Sequence, residues 1–310
     1  MDTNQNTEPD FYIKKIIDEN QREYNVFFVN KDIPITDEIL QEMAKYEIVE
    51  FCDSFNQSID VLPSGLKSIT FGNEFNQSVE YKRTRSFEHP LGDILSPTEN
   101  LPSGLQSLTF HFNFNQSVDN LPSGLLKLTL GVMFNQTVDH LPAGLKSLTF
   151  VYGFNQSVNN LPSGLQSLIF GNEFNQPVDN LPTRLKSLTF MGAFDSSVDN
   201  LPSGLLNLTF GFYFNQPVDN LPQGLQNLTF GRHFNHPVER LPSGLQNLNF
   251  GRHFNNPVDH LPSGLQNLNF GSNFNQSIQH LPSGLKSLTI SKKYKKPLDN
   301  IPVSVEIIRY

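Results

Sequence analysis

The sequence predicts a mainly β fold, a solenoid of stacked 20-residue coils with one short parallel strand in each coil. Three features lead to this prediction. Phenylalanine recurs every 20 residues, apolar and polar residues alternate beside it, and turn-forming residues fill the rest of the unit, whose consensus is LPSGLQSLTFGxxFNQPVDN. The phenylalanine series comprises Phe114, Phe134, Phe154, Phe174, Phe194, Phe214, Phe234, Phe254 and Phe274, and Tyr294 continues it.

Each coil is expected to contain one strand of about four residues. Leu108 and Phe110 alternate with Ser107 and Thr109, and equivalent residues alternate in the other coils. Alternation with a period of two places one face of a strand in the core and leaves the other face polar. The remaining residues of the coil, Asn, Asp, Pro, Ser and Gly, are turn formers and leave no room for a helix of ordinary length.

The repeat divides the chain into three parts. Residues 1–45 form an acidic, helical N-terminal cap, residues 46–290 form the repeat solenoid, and residues 291–310 form a degenerate last repeat and a cap. Within the last part, the run from Ser291 to Lys296 places positive charge on the open strand edge. This charge either keeps the end of the solenoid soluble or binds an acidic partner.

Both ends of a solenoid need a cap, because an open strand edge would pair with other chains. At the front, a short covering helix is expected after Thr36, since Ile39, Leu40 and Met43 have helical spacing.

One stretch, residues 80–100, departs from the repeat. Phe87, Pro90 and Leu91 look like the remains of one coil with shifted spacing. The sequence leaves open whether this stretch is a binding loop or a damaged repeat.

The charge distribution argues against a nucleic-acid or membrane partner. The formal net charge is −8 at pH 7, and residues 1–60 hold five Lys or Arg against fourteen Asp or Glu. The rest of the chain is nearly neutral, so it lacks the basic face that displaces counterions from phosphates. The single cysteine, Cys52, excludes an internal disulfide framework, and the first residues lack the pattern of a signal peptide. We therefore expect an intracellular, cytoplasmic protein, and a monomer.

The repeat resembles a known family. The motifs F-N-x-P/S-V and L-P-x-G-L recur together, as in FNHPVERLPSGLQNLNFG. In this they are similar to FNIP repeats, leucine-rich-repeat-like units of social amoebae and of giant viruses that infect amoebae. The resemblance covers roughly residues 46–300 and implies a leucine-rich-repeat-like solenoid with a binding role, located in the host cytoplasm if the protein is viral. It carries over no catalytic residue.

Some members of that family carry an N-terminal F-box, which would make the protein a substrate adaptor of a ubiquitin ligase. Ile33-Pro34 and the stretch from Asp37 to Met43 are faintly similar to the first helix of such a box. The repeats begin at once afterwards and leave no room for two further helices. The adaptor function therefore stays an alternative.

Two columns of polar residues invite a binding interpretation. The Asn column, which includes Asn56 and Asn76, is expected to face inward and accept backbone N–H groups at a corner. The Asp column stacks like charges one coil apart, and either bound cations or Asx-type turns would relieve their repulsion. Replacement of Asp by Asn159 and Gln279 favours the turns. The Asp column comprises Asp119, Asp139, Asp179, Asp199, Asp219 and Asp259.

Variation is concentrated at the two positions marked xx in the consensus, which we name the post-strand edge. Its residues run from acidic through aromatic to basic, and exposed aromatics and Arg dominate protein interfaces. We expect a partner to bind Phe112, Tyr152, Phe212, Tyr213, Arg232, His233, Arg252 and His253. The alternative is that near-identical copies drift wherever packing is indifferent.

These residues predict a non-enzymatic protein-interaction scaffold. His233 and His253 fall one above the other, but without a third ligand they make a weak metal site. The Ser, His and Asp residues form no nucleophile elbow, and no phosphate loop is present. We therefore expect no catalytic residue, cofactor or metal. The alternative to the scaffold, besides the adaptor, is a structural solenoid whose uniform Ser and Thr rows bind a repetitive surface.

Overall fold

The structure is a computed structural model, and it contains two compact units, Met1–Leu145 and Lys146–Tyr310. The residues described are 8–19, 21–59, 62–79, 101–299 and 301–310. No helix among these residues has the length and apolar character that a membrane span requires.

The first unit consists of an antiparallel hairpin, a short helix and a parallel sheet. Its elements are β1 (Phe11–Ile17), β2 (Glu23–Val29), α1 (Asp37–Met43), β3 (Ile48–Phe51), β4 (Ser68–Phe71), β5 (Ser107–Phe110) and β6 (Lys127–Leu130). β1 and β2 are antiparallel, and β2 to β6 pair in parallel in chain order.

The second unit is a regular parallel solenoid. Its strands are β7 (Ser147–Phe150), β8 (Ser167–Phe170), β9 (Ser187–Phe190), β10 (Asn207–Thr209), β11 (Asn227–Thr229), β12 (Asn247–Asn249), β13 (Asn267–Asn269), β14 (Ser287–Ile290) and β15 (Glu306–Arg309). Each strand pairs in parallel with the next, and Leu208 of β10 lies opposite Leu228 of β11. The predicted fold, with one parallel strand per 20-residue coil, is confirmed.

Two columns of phenylalanine rings form the core of each unit. Within a coil the ring at the strand end packs on the ring four residues later, as in Phe170 and Phe174, whose centroids are 3.7 Å apart. Between coils the rings stack nearly parallel, with 6.1 Å between the centroids of Phe154 and Phe174. All three rings are buried. Because each ring touches the coils on both sides, burial of one coil depends on its neighbours.

Asparagine side chains link the coils at the corner that follows the phenylalanine column. The backbone N–H of Asn175 donates to Oδ1 of Asn155 at 2.9 Å, and the N–H of Asn215 donates to Oδ1 of Asp195 at 2.7 Å. The expected acceptor role is confirmed. The expected inward orientation is wrong for most of the column, since Asn175 and Asn215 are exposed. The amide therefore binds the next coil from the surface.

The aspartate column is bound by side chains of the next coil. Nδ2 of Asn200 donates to Oδ1 of Asp179 at 2.9 Å, and Asn220 donates in the same way to Asp199 at 3.1 Å. Nδ1 of His140 lies 3.3 Å from Oδ1 of Asp119. Serine side chains of the same coil also donate to these carboxylates, as Ser197 does to Oδ2 of Asp199 at 3.0 Å. Together these donors stabilise the stacked carboxylates.

The N-terminal cap contains a hairpin that the sequence analysis did not predict. Lys14 on β1 anchors it, because its Nζ lies 3.1 Å from Oε2 of Glu50 and 3.4 Å from the centroid of the Phe28 ring. The helix expected after Thr36 is present as α1, with Oγ1 of Thr36 accepting from the N–H of Ile39 at 3.4 Å.

Strands β4 and β5 flank the irregular stretch in the sequence, and they pair directly with each other in the parallel sheet. Ser68 lies opposite Ser107, and the Phe75 and Phe114 rings stack at 6.2 Å. The remains of a coil proposed at Phe87, Pro90 and Leu91 lie outside the described residues.

The last coil continues the pattern of the repeat. Tyr294 stacks on Phe274 at 6.0 Å in place of a phenylalanine, and its hydroxyl donates to the carbonyl oxygen of Gln276 at 2.9 Å. β15 then pairs with β14, with Leu288 opposite Ile307.

Truncation of a core ring should destabilise the second unit strongly. We expect Phe214→Ala to lower the free energy of unfolding by about 3–5 kcal/mol, because it opens a cavity in the ring column. Phe212→Ala, in the same coil but exposed, should change it by about 1 kcal/mol or less. Urea denaturation followed by circular dichroism measures both, and equal losses would contradict the central role of the ring columns.

The asparagine ladder provides a second test. Asn235→Ala removes the acceptor for the N–H of Asn255, and we expect a loss of about 1 kcal/mol. Asn235→Asp keeps an acceptor, as Asp195 does naturally, and should lose less than half as much. If both variants lose the same stability in urea denaturation, the amide does not act as a backbone acceptor.

Candidate functional site

The post-strand edge is built by a backbone ladder. The N–H of His233 donates to the carbonyl oxygen of Phe212 at 3.1 Å, and the N–H of His253 donates to that of Arg232 at 3.0 Å. Each coil therefore holds its two edge residues in register with those of the coil before. Side chains at these positions project beside one another, one coil apart, whatever their chemical type.

Glycine before the edge allows the coils to approach closely. A Cβ on Gly231 would lie 1.7 Å from the carbonyl oxygen of Gly211, and one on Gly251 would lie 1.8 Å from that of Gly231. Both distances are far shorter than any real contact of a Cβ atom, so only glycine fits this approach. The close approach places the edge residues of these three coils within contact distance of one another.

Six of the eight predicted residues come together in the second unit, in three consecutive coils. We name them the aromatic–basic cluster: Phe212, Tyr213, Arg232, His233, Arg252 and His253. Phe212, Tyr213 and the two arginines are exposed, and the two histidines are half-buried. Tyr213 is the most open of the aromatic residues, with 57% of its surface exposed.

Ring contacts connect the cluster from coil to coil. Phe212 contacts Tyr213 edge to face at 4.8 Å, and His233 lies 4.9 Å from Phe212 and stacks on Tyr213 at 5.5 Å. His253 then meets His233 edge to face at 4.8 Å. The cluster is thus a continuous row of rings on the surface of the solenoid.

A guanidinium group lies on this row of rings. Cζ of Arg232 is 5.2 Å from the centroid of the Phe212 ring, within the range of a cation–π contact. None of the ion pairs among the described residues involves Arg232 or Arg252. The N–H groups of both arginines are therefore available to a ligand.

The cluster depresses the pKa of His253 below its ordinary value of 6.5. Desolvation is the main cause, and the positive charges of His233, Arg232 and Arg252 add to it. Both effects favour the neutral form of the His253 imidazole. An anion bound beside it would offset the effect of the neighbouring positive charges.

The other two predicted residues are not members of the cluster. Phe112 belongs to the first unit, where it is 47% exposed beside the exposed Met133 of the next coil. Tyr152 precedes Phe212 by three coils, and the acidic Glu173 occupies the edge between them. Neither residue extends the row of rings.

Sequence analysis missed two exposed apolar contributors to this surface and did not assign two lysines of the basic C-terminal run to the post-strand edge. Val151 and Met191 stand in the glycine column and are 40% and 50% exposed. Lys292 and Lys293 occupy the edge positions of the last coil, and Lys292 donates its N–H to the carbonyl oxygen of Tyr310. Counting 20 residues on from Arg252 and then from Ser272 would have placed these lysines on the post-strand edge.

The polar face of the strands is engaged in its own hydrogen bonds over several coils. Nδ2 of Asn227 donates to Oδ1 of Asn207 at 2.6 Å, and Nδ2 of Asn267 donates to Oδ1 of Asn247 at 2.6 Å. Asn249 donates to the hydroxyl of Thr229 at 3.2 Å. These groups satisfy one another along the ladder, which makes the face a weaker site for a ligand than the edge.

Within the described ranges, no three His, Cys, Asp or Glu side chains converge as a metal site would require. The first unit has a cleft of about 300 Å³ whose lining includes Lys14, Glu50, Cys52, Thr70 and His111. Its Lys14 and Glu50 pair with each other at 3.1 Å.

Comparison with known proteins identifies the family that the repeats match. The sequence profile of the FNIP Repeat family matches residues 55–81, 134–173, 154–193, 196–233, 214–251, 234–273 and 254–293, which together make up more than half of the chain. No curated protein matches the chain.

Two solved structures are similar to this one. CroV588, a circular leucine-rich-repeat protein of a giant virus, has 30% sequence identity and a TM-score of 0.58, with 86% of this chain and 50% of that chain covered. YopM from Yersinia enterocolitica has 20% identity and a TM-score of 0.48, with 86% and 58% covered. The predicted leucine-rich-repeat-like fold is confirmed by the first, of which this chain spans half the length.

The lowered pKa of His253 predicts a pH dependence of stability. The unfolded chain, with a pKa near 6.5 at this histidine, binds its proton more tightly than the folded chain. Stability should therefore fall as the pH drops through about 6.5, and His253→Gln should reduce this fall. Urea denaturation at about pH 8 and pH 5.5 compares the two proteins. Parallel losses in both would contradict the prediction.

Proposed function

This chain belongs to the FNIP repeat family, and from that premise we propose that it is a non-enzymatic scaffold that binds another protein along the post-strand edge. Its leucine-rich-repeat-like solenoid is typical of proteins that bind partners over an extended surface. The fold alone names no partner, so the specific proposal depends on the edge.

The aromatic–basic cluster is the observation that carries this proposal. Phe212 and Tyr213 expose aromatic surface to solvent, and Arg232 lies over the Phe212 ring without a carboxylate partner among the described residues. Aromatic residues and arginine are the types that contribute most of the binding energy in protein interfaces. The ring contacts also restrain these side chains before binding, which lowers the entropy cost of association.

The two alternative functions have less support in the structure. Residues 8–43 form a hairpin and one short helix, whereas an F-box adaptor would need a module of several helices. A solenoid that binds a repetitive surface through its strand face would need free polar groups there. Instead, Asn207, Asn227, Asn247 and Asn267 are bound to one another.

Site-specific crosslinking tests where the partner binds. A photo-crosslinking amino acid placed at Tyr213, and separately at Arg240, is exposed to amoebal lysate, since the family occurs in amoebae and their viruses. Arg240 is exposed and lies seven residues after His233, in the turn that precedes Leu241 and Pro242. We expect a discrete protein adduct from position 213 and none from position 240.

The same adduct should depend on the cluster. Arg232→Ser with Arg252→Ser should lower its yield roughly tenfold, because both cations are removed from the centre of the site. Arg240→Ser removes one exposed cation and serves as the control, with an unchanged yield. If the double variant folds normally by circular dichroism and gives the wild-type yield, the edge is not the binding surface.

A further inference from the structure

The C-terminal half of the post-strand edge carries positive charge and no negative charge. From Phe212 onward the edge holds Arg232 and His233, then Arg252 and His253, then the neutral Ser272 and Asn273, then Lys292 and Lys293. No Asp or Glu occupies an edge position in these coils. The chain as a whole carries a net charge of −8, so the charge of this row is opposite in sign to that of the whole protein.

The carboxylates nearest to these coils in sequence are directed elsewhere. Asp259 is engaged by His280, whose Nδ1 lies 3.2 Å from its Oδ1. Glu239 and Asp259 line a cleft with Pro237, Pro257 and His260, none of which is an edge residue. The cations of the edge therefore have no intramolecular counterion among the described residues, which favours an anionic ligand.

The geometry suits an extended chain. Coils joined by β-pairing repeat about every 4.8 Å, so the row from Phe212 to Lys292, four coils long, spans about 19 Å. An extended peptide advances about 3.3 Å per residue, and about six residues cover that length. Such a peptide would place about three side chains on the protein-facing side. The edge therefore matches a short linear segment.

We propose, resting on the scaffold function above, that the aromatic–basic cluster binds an acidic linear segment of the partner protein, with carboxylates on Arg232 and Arg252 and an aromatic or apolar side chain on Phe212 and Tyr213. The planar guanidinium of Arg232 is held over the Phe212 ring, so its N–H groups at the rim are free to donate to a carboxylate as a bidentate pair. Tyr213 supplies open ring surface next to it. A nucleic acid would also be attracted by these cations, but the acidic chain would repel a longer polyanion.

Proton uptake should accompany this binding. His253 is faced by His233, Arg232 and Arg252, and the following coil presents the uncharged Ser272 and Asn273. A bound carboxylate would offset the surrounding positive charge and raise the pKa of His253. Affinity should therefore increase as the pH falls from about 7.5 to about 5.5, where free carboxylates are still ionised.

A direct titration tests the proposal with the whole chain. The probe is a fluorescein-labelled peptide of alternating Glu and Phe, and fluorescence anisotropy reports its binding at low ionic strength. The matched probes are the same peptide with Gln in place of each Glu and a single-stranded RNA oligonucleotide. We expect the acidic peptide to bind at least roughly tenfold more tightly than the Gln peptide.

Variants then locate the binding. Arg232→Ser with Arg252→Ser should weaken the acidic peptide roughly tenfold, while Arg240→Ser should change its affinity less than about twofold. His233→Gln with His253→Gln should flatten the pH dependence. Equal affinity for the acidic and Gln peptides, or binding of the RNA alone, would overturn the proposal.

The two proposals fail in different ways. If crosslinking at Tyr213 still captures a partner while the acidic peptide does not bind, the partner's chemistry is wrong and the scaffold function stands. If neither the peptide nor the crosslinked partner is seen, both proposals fail.

Discussion

Stacking of phenylalanine rings is the interaction on which the rest of this structure depends. Most coils contribute two rings, one from the end of the strand and one four residues later, and both are buried between the coils on either side, as Phe190 and Phe194 are. A ring shared between neighbours requires that adjacent coils keep the same register. The 20-residue period is therefore a packing constraint, and the short strands and tight corners follow from it.

Hydrogen-bonded columns of polar side chains connect the coils outside the phenylalanine columns. The Asn column binds the backbone of the next coil, and the Asp column receives an Asn or His side chain from it. Both columns thus stabilise the fold. Side chains of these columns and of the strand face are hydrogen-bonded within the fold. At the post-strand edge, by contrast, side chains can vary without loss of folding stability. This freedom allows aromatic and basic residues to accumulate there.

The aromatic–basic cluster shows how a repeat can produce a specific site. No single coil contains it, since Phe212, His233 and His253 come from three successive coils. The glycine column permits the close approach that lets their rings touch, and Gly231 and Gly251 have no room for a Cβ atom. The regular scaffold holds the three coils in register, so a site arises from two substitutions per coil.

The sequence by itself determined the period, the parallel strands, the buried rings and the helix after Thr36, because each of these depends on local pattern and on one repeated contact. It also indicated the residues of the edge. Only the tertiary structure decided which of them meet, since Phe112 and Tyr152 are aromatic residues of the same column as Phe212 but are not members of the cluster. The hairpin of β1 and β2, its anchor through Lys14 and Glu50, and the donors to the Asp column were likewise decided in three dimensions. The physical reason is that these contacts join side chains of different coils, and their distances depend on how closely the backbones approach.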